Sequence, residues 1–178
     1  MLKKEARGLA LANRKNEDII KASNIVVEAI IKSKLLDDKS NIGIYYPLGK
    51  EIDITTLLDY YPNKNFYLPI TKDEIFFVNY NKNTKLINGP FNTKEPVGDK
   101  VDREKIDVFI IPCVAISNLN QRIGYGKGYY DRYLSGYSGL KIGICYKNSA
   151  GLDVECDDFD VVLDYIFLGW LIWLVLYF

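Results

Sequence analysis

Residues 120–134 read NQRIGYGKGYYDRYL, with glycines at every second position, Gly124, Gly126 and Gly128. Glycine accepts positive φ and lets the backbone come close to a ligand. Tyr125 and Lys127 alternate with the glycines, Arg122 and Ile123 precede them, and Tyr129, Tyr130 and Asp131 follow. A lysine in such a loop supplies a point charge, and an arginine supplies a planar fork that fits phosphate oxygens. A carboxylate a few residues on suits Mg2+ shared with those oxygens, and the tyrosines are suited to wall a site or stack on a flat ring. These residue types point to a phosphate and magnesium site. The spacing matches neither a Walker A loop, since no Ser or Thr follows a GxxxxGK, nor the GxGxxG of dinucleotide folds. A bare glycine pattern is more often a flexible turn; the Arg, Lys, Tyr and Asp placed around this one favour the ligand site.

Composition removes several alternatives. At 178 residues the chain suits one domain, able to bury roughly 70% of the surface its unfolded form exposes. Lys plus Arg equals Asp plus Glu at 23 each, so no dominant electrostatic footprint for nucleic acid is present. There is no histidine, which excludes every Ser-His or Cys-His nucleophile pair. Cys113, Cys145 and Cys156 are odd in number and form no CxxC. They read as small buried hydrophobes in a reducing cytosol rather than as a zinc site or a disulfide framework. The lysines at the N-terminus have no apolar run behind them, so the segment is not a secretory signal.

The elements that must position the loop follow from periodicity. Residues 1–36 are helical in pattern, with residues 13–16 separating a short basic first helix from a longer one and Asn16 a candidate cap. Lys3, Arg7 and Arg14 lie on the first, basic segment, where the ordinary reading is a solvated face. Residues 41–46 (NIGIYY) form a strand stopped by Pro47, and 52–61 look helical. Strands are expected at 66–70 and 75–80, with 84–87 pairing back across 81–83, and 88–99 reads as a loop. The apolar runs 108–112 (VFIIP) and 141–146 (KIGICY) suit strands buried on both faces. A helix is expected to open at Gly128, with its free N–H groups facing the loop as an anion site. Strands alternating with helices imply an α/β protein with a largely parallel sheet, where ligands sit beyond the carboxyl ends of strands.

RIGYGKGYYDRYL resembles the signature of the 5-formyltetrahydrofolate cyclo-ligase family, also called 5,10-methenyltetrahydrofolate synthetases. The resemblance takes in Lys3 and Arg7, Tyr46 and Glu51, the Pro96 loop and residues 159–164 (FDVVLD), and so spans roughly residues 3 to 166 in order. It implies a three-layer α/β/α fold related to ribose-5-phosphate isomerase and CoA transferases. It also implies ATP-dependent cyclisation of 5-formyltetrahydrofolate to 5,10-methenyltetrahydrofolate with release of ADP and phosphate, by a monomer.

On that resemblance, Lys3, Arg7, Arg122, Ile123, Gly124, Tyr125, Gly126, Lys127, Gly128, Tyr129 and Tyr130 bind ATP. Tyr46, Glu51 and the loop from Tyr125 to Tyr129 contact the folate, and Asp131 and Asp160 hold Mg2+. Lys127 and Arg122 are the expected catalytic cations, and Glu51 is expected to orient the pterin by accepting its N–H donors. By residue type alone Glu51 reads as a surface loop carboxylate and Asp160 as one of several solvated acids in ECDDFD. The chain departs from the family pattern at Ser117, where Asp is usual, and at Asn120, where Gly is usual. Phe159 stands for His and Val162 for Pro, which bears on the shape around Asp160.

Residues 165–178, YIFLGWLIWLVLYF, carry no charge. As a helix they would span about 21 Å against a hydrocarbon core of roughly 30 Å. The family domain is assigned to residues 1–166 and an atypical apolar tail to 167–178. A terminal strand extended by non-native or frame-shifted sequence, a membrane-surface or partner-binding segment, and a membrane anchor are the readings of that tail, the last disfavoured by length. Three rivals to the enzyme stay open: an ATP-binding module without catalysis, a single-stranded nucleic-acid binder, and a membrane-associated protein defined by its tail. Zero net charge argues against the second.

Overall fold

The computed structural model describes residues 1–170. In chain order they form α1 (Lys3–Asn13), a 3-10 turn (Arg14–Asn16), α2 (Ile19–Ser33), β1 (Asn41–Gly43), the single turn α3 (Leu57–Tyr60), β2 (Asn65–Thr71), β3 (Ile75–Tyr80), β4 (Leu86–Asn88) and β5 (Lys94–Pro96). Then come β6 (Lys100–Val101), β7 (Val108–Pro112), β8 (Ala115–Ile116), β9 (Arg122–Ile123), α4 (Tyr129–Tyr133), β10 (Leu140–Tyr146) and β11 (Tyr165–Gly169). Seven strands make one sheet in the order β11-β10-β7-β1-β2-β3-β6. The ladders from β11 through β2 are parallel and those of β3 and β6 antiparallel. The α/β class with a mostly parallel sheet is therefore as the alternating pattern implies.

β7 is apolar throughout, and β10 carries no charge from Ile142 on, because both faces of the sheet are covered there. Val108 and Ile110 join Ile42, Leu68, Ile142 and the α2 residues Val26 and Ile30 on one side. Phe109 and Ile111 join Phe77, Tyr137, Leu134 and Cys145 on the other. Phe109 centres an aromatic group, 4.8 Å from Phe77 and 5.0 Å from Tyr137 between ring centroids. Its ring covers Gly43 on the neighbouring strand, where a Cβ would collide with it.

Several local expectations give way to tertiary structure. The cap of α2 is Asp18, whose side chain accepts from the Lys21 N–H, and not Asn16. β1 ends at Gly43, and the helix expected over 52–61 shrinks to the four residues of α3. Asp53 Oδ1 takes the N–H and hydroxyl of Thr55 in a turn, and side-chain bonding of this kind competes with a helix start. β4 pairs with β5 rather than back onto β3, so the segment read as loop contains a strand. The short hairpin β8–β9 is also absent from the periodicity, since two-residue strands carry no period.

β11 pairs with β10 in register through Gly169, so Phe167 and Leu168 of the apolar stretch lie in the sheet. The rest of that tail, residues 171–178, lies outside the described residues. Among the described residues no helix is long and apolar enough to cross a membrane.

Candidate active site

β1, β2 and β7 run parallel, and the segments leaving their carboxyl ends diverge around a cleft of about 280 Å³. Tyr45 and Tyr46 follow β1, Thr71 ends β2, and Pro112 ends β7; all line the cleft. The β8–β9 hairpin then carries the chain to the glycine loop, which forms the opposite wall with the start of α4. Every residue expected at the site from sequence lines this one cleft: Lys3, Arg7, Tyr46, Glu51, Arg122 through Asp131, and Asp160.

α1 brings its cations to the loop by close packing. Ala6 and Ala10 are fully buried against Val114, Ala115, Ile123 and Val154, and their small size lets the helix sit directly on the hairpin. Lys3 and Arg7, four apart on that face, thereby reach the cleft. Arg7 Nε donates to Gly124 O at 2.7 Å. Gly126 has φ +97°, and a Cβ there would come within 3.3 Å of the Arg7 guanidinium. Gly128 is also left-handed, with φ +67°. These two positions need glycine for backbone geometry.

Arg122 is 6% exposed, donates from Nε to Pro112 O at 2.9 Å, and lies 4.5 Å from the Tyr130 ring centroid. Its guanidinium is thus fixed on a flat aromatic face. Lys127 is exposed at the loop tip, its Nζ 5.8 Å from the centroid of Phe91 across the cleft. α4 is only five residues long, so the aligned-dipole contribution expected at Gly128 is that of little more than one turn. Side-chain cations dominate the field instead.

The two aspartates keep coordination capacity. Asp131 Oδ1 accepts the Val161 N–H at 3.2 Å. Asp160 Oδ2 accepts the Asp157 N–H at 2.6 Å and pairs with Lys3. Among the described residues, the second oxygen of each carboxylate takes no hydrogen bond. Two hard oxygen donors lining a cleft rich in cations fit Mg2+, which is held by one or two carboxylates together with substrate phosphates. The departures near Asp160 are displaced outward, with Phe159 77% and Val162 52% exposed, and leave Asp160 facing the cleft.

Glu51 is not a surface carboxylate. It is 5% exposed, and its Oε2 accepts the Leu48 N–H at 2.9 Å. Burial pushes its carboxyl above the ordinary value, opposed by the Leu48 N–H, Arg14, Tyr125 and Arg122. Burial also pushes the Tyr125 hydroxyl up to about 12 and the Cys113 thiol to about 11. The cysteine beside the site is therefore a packed thiol and no nucleophile.

Three contributors escape sequence reading. Arg14, expected on a solvated face, is 5% exposed behind the cleft; its place seven residues after Arg7, at the cap of α1, is the signal for it. Phe91 and Thr93 form the outer wall. They are held by Glu95, which is buried and accepts the Thr71 N–H at 2.9 Å and the Thr93 hydroxyl at 3.1 Å. Nothing in the local pattern separates Glu95 from a solvated loop acid.

Comparison with known proteins bears on the same residues. Residues 2–169 match the model of the 5-formyltetrahydrofolate cyclo-ligase family. A 5-formyltetrahydrofolate cyclo-ligase of Mycoplasma pneumoniae is 35% identical over 129 residues, 70% of each chain. One from Haemophilus influenzae is 29% identical over 141 residues, 72% of this chain and 75% of the relative. The solution structure of Aquifex aeolicus 5,10-methenyltetrahydrofolate synthetase superposes with a TM-score of 0.82 at 30% identity, over 94% of this chain and 90% of that one. A synthetase structure from Mycoplasma pneumoniae gives 0.75 at 28% identity, over 94% and 98%. A cleft that gathers the whole set of signature residues, on a chain matched over nearly its full length, places this protein in the 5-formyltetrahydrofolate cyclo-ligase family.

Proposed function

We propose that the protein converts 5-formyltetrahydrofolate to 5,10-methenyltetrahydrofolate with consumption of ATP, acting as a monomer in the cytosol. The observation that carries this reading is the convergence of Lys3, Arg7, Arg122, Lys127, Glu51, Asp131 and Asp160 on one cleft of about 280 Å³. That size suits one end of the folate meeting a nucleotide triphosphate, with the rest of both molecules in the open groove. The three-layer kinship with ribose-5-phosphate isomerase and CoA transferases belongs to the same proposal.

The reaction needs no histidine. A formamide oxygen is a weak nucleophile and a poor leaving group, and transfer of a phosphoryl group to it changes the second property. The formyl oxygen attacks the terminal phosphorus in line and ADP departs. N10 then forms a bond to the formyl carbon, the carbon–oxygen bond to phosphate breaks, and N10 gives up its proton. ATP supplies the phosphoryl group; Asp131 and Asp160 would hold Mg2+, which would supply charge neutralisation for the phosphate oxygens. The protein's task is to position and neutralise.

Arg122, immobile on Tyr130, sets a fixed positive fork, while Lys127 on the glycine loop supplies a cation that follows the transferred group. Lys3 and Arg7 hold the remaining phosphates. Glu51, buried at the far end, accepts the pterin's amine and ring N–H groups, and Tyr46 with Tyr129 flanks the ring.

The test is a continuous assay. Purified protein receives 5-formyltetrahydrofolate, MgCl2 and ATP, and the methenyl product is followed by its absorbance. Product that requires all three supports the proposal. A folded protein that binds ATP but neither binds the folate nor forms product overturns it.

A further inference from the structure

Arg14 is a buried cation without a carboxylate partner. Among the described residues it forms no ion pair, and its Nε has no hydrogen-bond partner at all. A charge placed in this way is costly, so its contacts should explain its retention. One guanidinium nitrogen donates to Cys113 O, at the end of β7. Another donates to the Tyr125 hydroxyl at 3.3 Å. The face of Tyr146 lies 5.7 Å from its centre. On the cleft side, the Tyr125 hydroxyl lies between Arg14 and the buried Glu51, close enough to favour the ionised carboxylate yet short of a formed hydrogen bond.

We propose that Arg14 is a positioning residue for the folate. Anchored on Cys113 O, it holds the Tyr125 hydroxyl towards Glu51 and opposes the burial of the Glu51 carboxylate from behind the cleft. This rests on the reading that Glu51 receives the pterin.

The groups facing Glu51 from the surrounding elements are Arg14 after α1, Tyr45 after β1, Cys113 after β7, Arg122 on β9, Tyr125 in the glycine loop, Tyr130 on α4 and Tyr146 on β10. The tyrosines and the cysteine are all raised by burial and stay neutral through the physiological range. Glu51 is the one carboxyl among them, and only the two arginines oppose its burial with a full charge. Arg122 faces the cleft, where a phosphate would compete for it. Arg14 does not line the cleft and is reserved for Glu51.

The experiment measures binding of 5-formyltetrahydrofolate and of ATP by calorimetry between pH 6 and pH 8.5, for the parent, Arg14→Met, Arg14→Lys, Tyr125→Phe and Glu51→Gln. In Arg14→Met the carboxyl of Glu51 rises further. Folate Kd is expected to increase about tenfold at pH 6 and less than about threefold at pH 8.5, while ATP Kd stays within about twofold. Arg14→Lys returns the pH profile towards the parent, and Tyr125→Phe, which leaves the anchor in place, weakens folate binding less than Arg14→Met. Folate binding by Arg14→Met that matches the parent across the range overturns the proposal. So does a parallel, pH-independent loss of folate and ATP binding, which would mark a merely structural arginine. If Arg14→Met does not fold, an unchanged folate profile in Arg14→Lys and Tyr125→Phe together overturns it equally. Glu51→Gln separates the two readings: parent-like folate affinity there removes the pterin role of Glu51 itself. A large loss in Glu51→Gln beside none in Arg14→Met removes only the inference about Arg14.

Discussion

Lys3 and Asp160 are joined as an ion pair across the rim of the cleft, on the same carboxylate oxygen that accepts the Asp157 N–H. Lys3 Nζ also reaches Asp157 Oδ2 at 2.6 Å. Burial pulls the Lys3 ammonium down, but the two aspartates more than offset it and its pKa is raised. A residue proposed for phosphate is thus paired with a carboxylate proposed for Mg2+. On the proposed assignments, a metal nucleotide would exchange both partners at once, Lys3 pairing with phosphate and Asp160 with the metal.

Lys3→Met tests that exchange. It removes a charge-assisted contact to phosphate and is expected to weaken ATP binding roughly 10- to 100-fold. The same change frees Asp160 from a competing cation, so Mg2+ binding without nucleotide should tighten. Calorimetric titrations of ATP and of MgCl2 alone check the two directions separately.

Glu51 is expected to trade stability for binding. Its folded-state pKa is raised by burial, so it favours the folded chain below its unfolded value and loses that contribution as pH rises through the folded value. At pH 7.5 the buried charge is a net cost. Glu51→Gln keeps an acceptor for the Leu48 N–H and removes the charge, so its Tm at pH 7.5 should exceed that of the parent. A gain of about 1 kcal/mol corresponds to roughly 2–4 °C. The two melting temperatures should converge near pH 4, while folate affinity falls at neutral pH. Calorimetric melts at both pH values decide it.

Gly124 has no unusual φ, yet it is constrained by a neighbour. A Cβ there would stand 2.5 Å from an Arg122 guanidinium nitrogen. The end of an arginine side chain normally yields, but this one is fixed by Pro112 O and the Tyr130 face. Gly124→Ala is expected to displace the guanidinium and lower kcat about tenfold or more, with Tm changed by no more than a few degrees. Steady-state kinetics beside a thermal melt separate the two effects.

What the sequence reveals of this molecule follows from range. The central sheet was legible because 108–112 and 142–146 carry no charged residue, a pattern a two-sided strand imposes by itself. The cleft was legible because the glycine loop packs its chemistry into ten consecutive residues. Glu51 and Arg14 were not legible as buried groups, since burial of a charged side chain depends on what packs over it. The helix expected over 52–61 failed for a related reason: Asp53 and Thr55 bond each other locally and Ile52 and Ile54 are claimed by the core. Asn120 shows the opposite case. It stands at φ +59°, the left-handed geometry that glycine usually supplies and asparagine tolerates.

Ser117 shows how the other departure is accommodated. It is 1% exposed, and its Oγ accepts the Leu119 N–H at 3.2 Å and the Gln121 N–H at 3.1 Å, closing the turn between β8 and β9. An aspartate at this place would accept the same bonds. Ser117→Ala leaves two amides short of an acceptor and is expected to cost about 1–3 kcal/mol. ATP and folate KM should change little, because residues 117–121 of the turn do not line the cleft. Urea unfolding with parallel kinetics checks this.

Asp131 and Asp160 make different predictions although both are assigned to Mg2+. Asp131 Oδ1 accepts the Val161 N–H, and the amide oxygen of Asn can take the same bond, so Asp131→Asn removes charge and preserves packing. Its Tm should match the parent, its half-saturating MgCl2 should rise about tenfold or more, and kcat at saturating metal should recover in part. Asp160→Asn also weakens the partner of Lys3, so it should raise ATP KM together with the metal requirement. A metal titration of turnover at several ATP concentrations distinguishes them: coupled changes in Asp160→Asn and a pure metal effect in Asp131→Asn. If Asp131→Asn saturates with the parent's metal dependence, Asp131 is no ligand, and its role reduces to fastening α4 to the segment that carries Asp160.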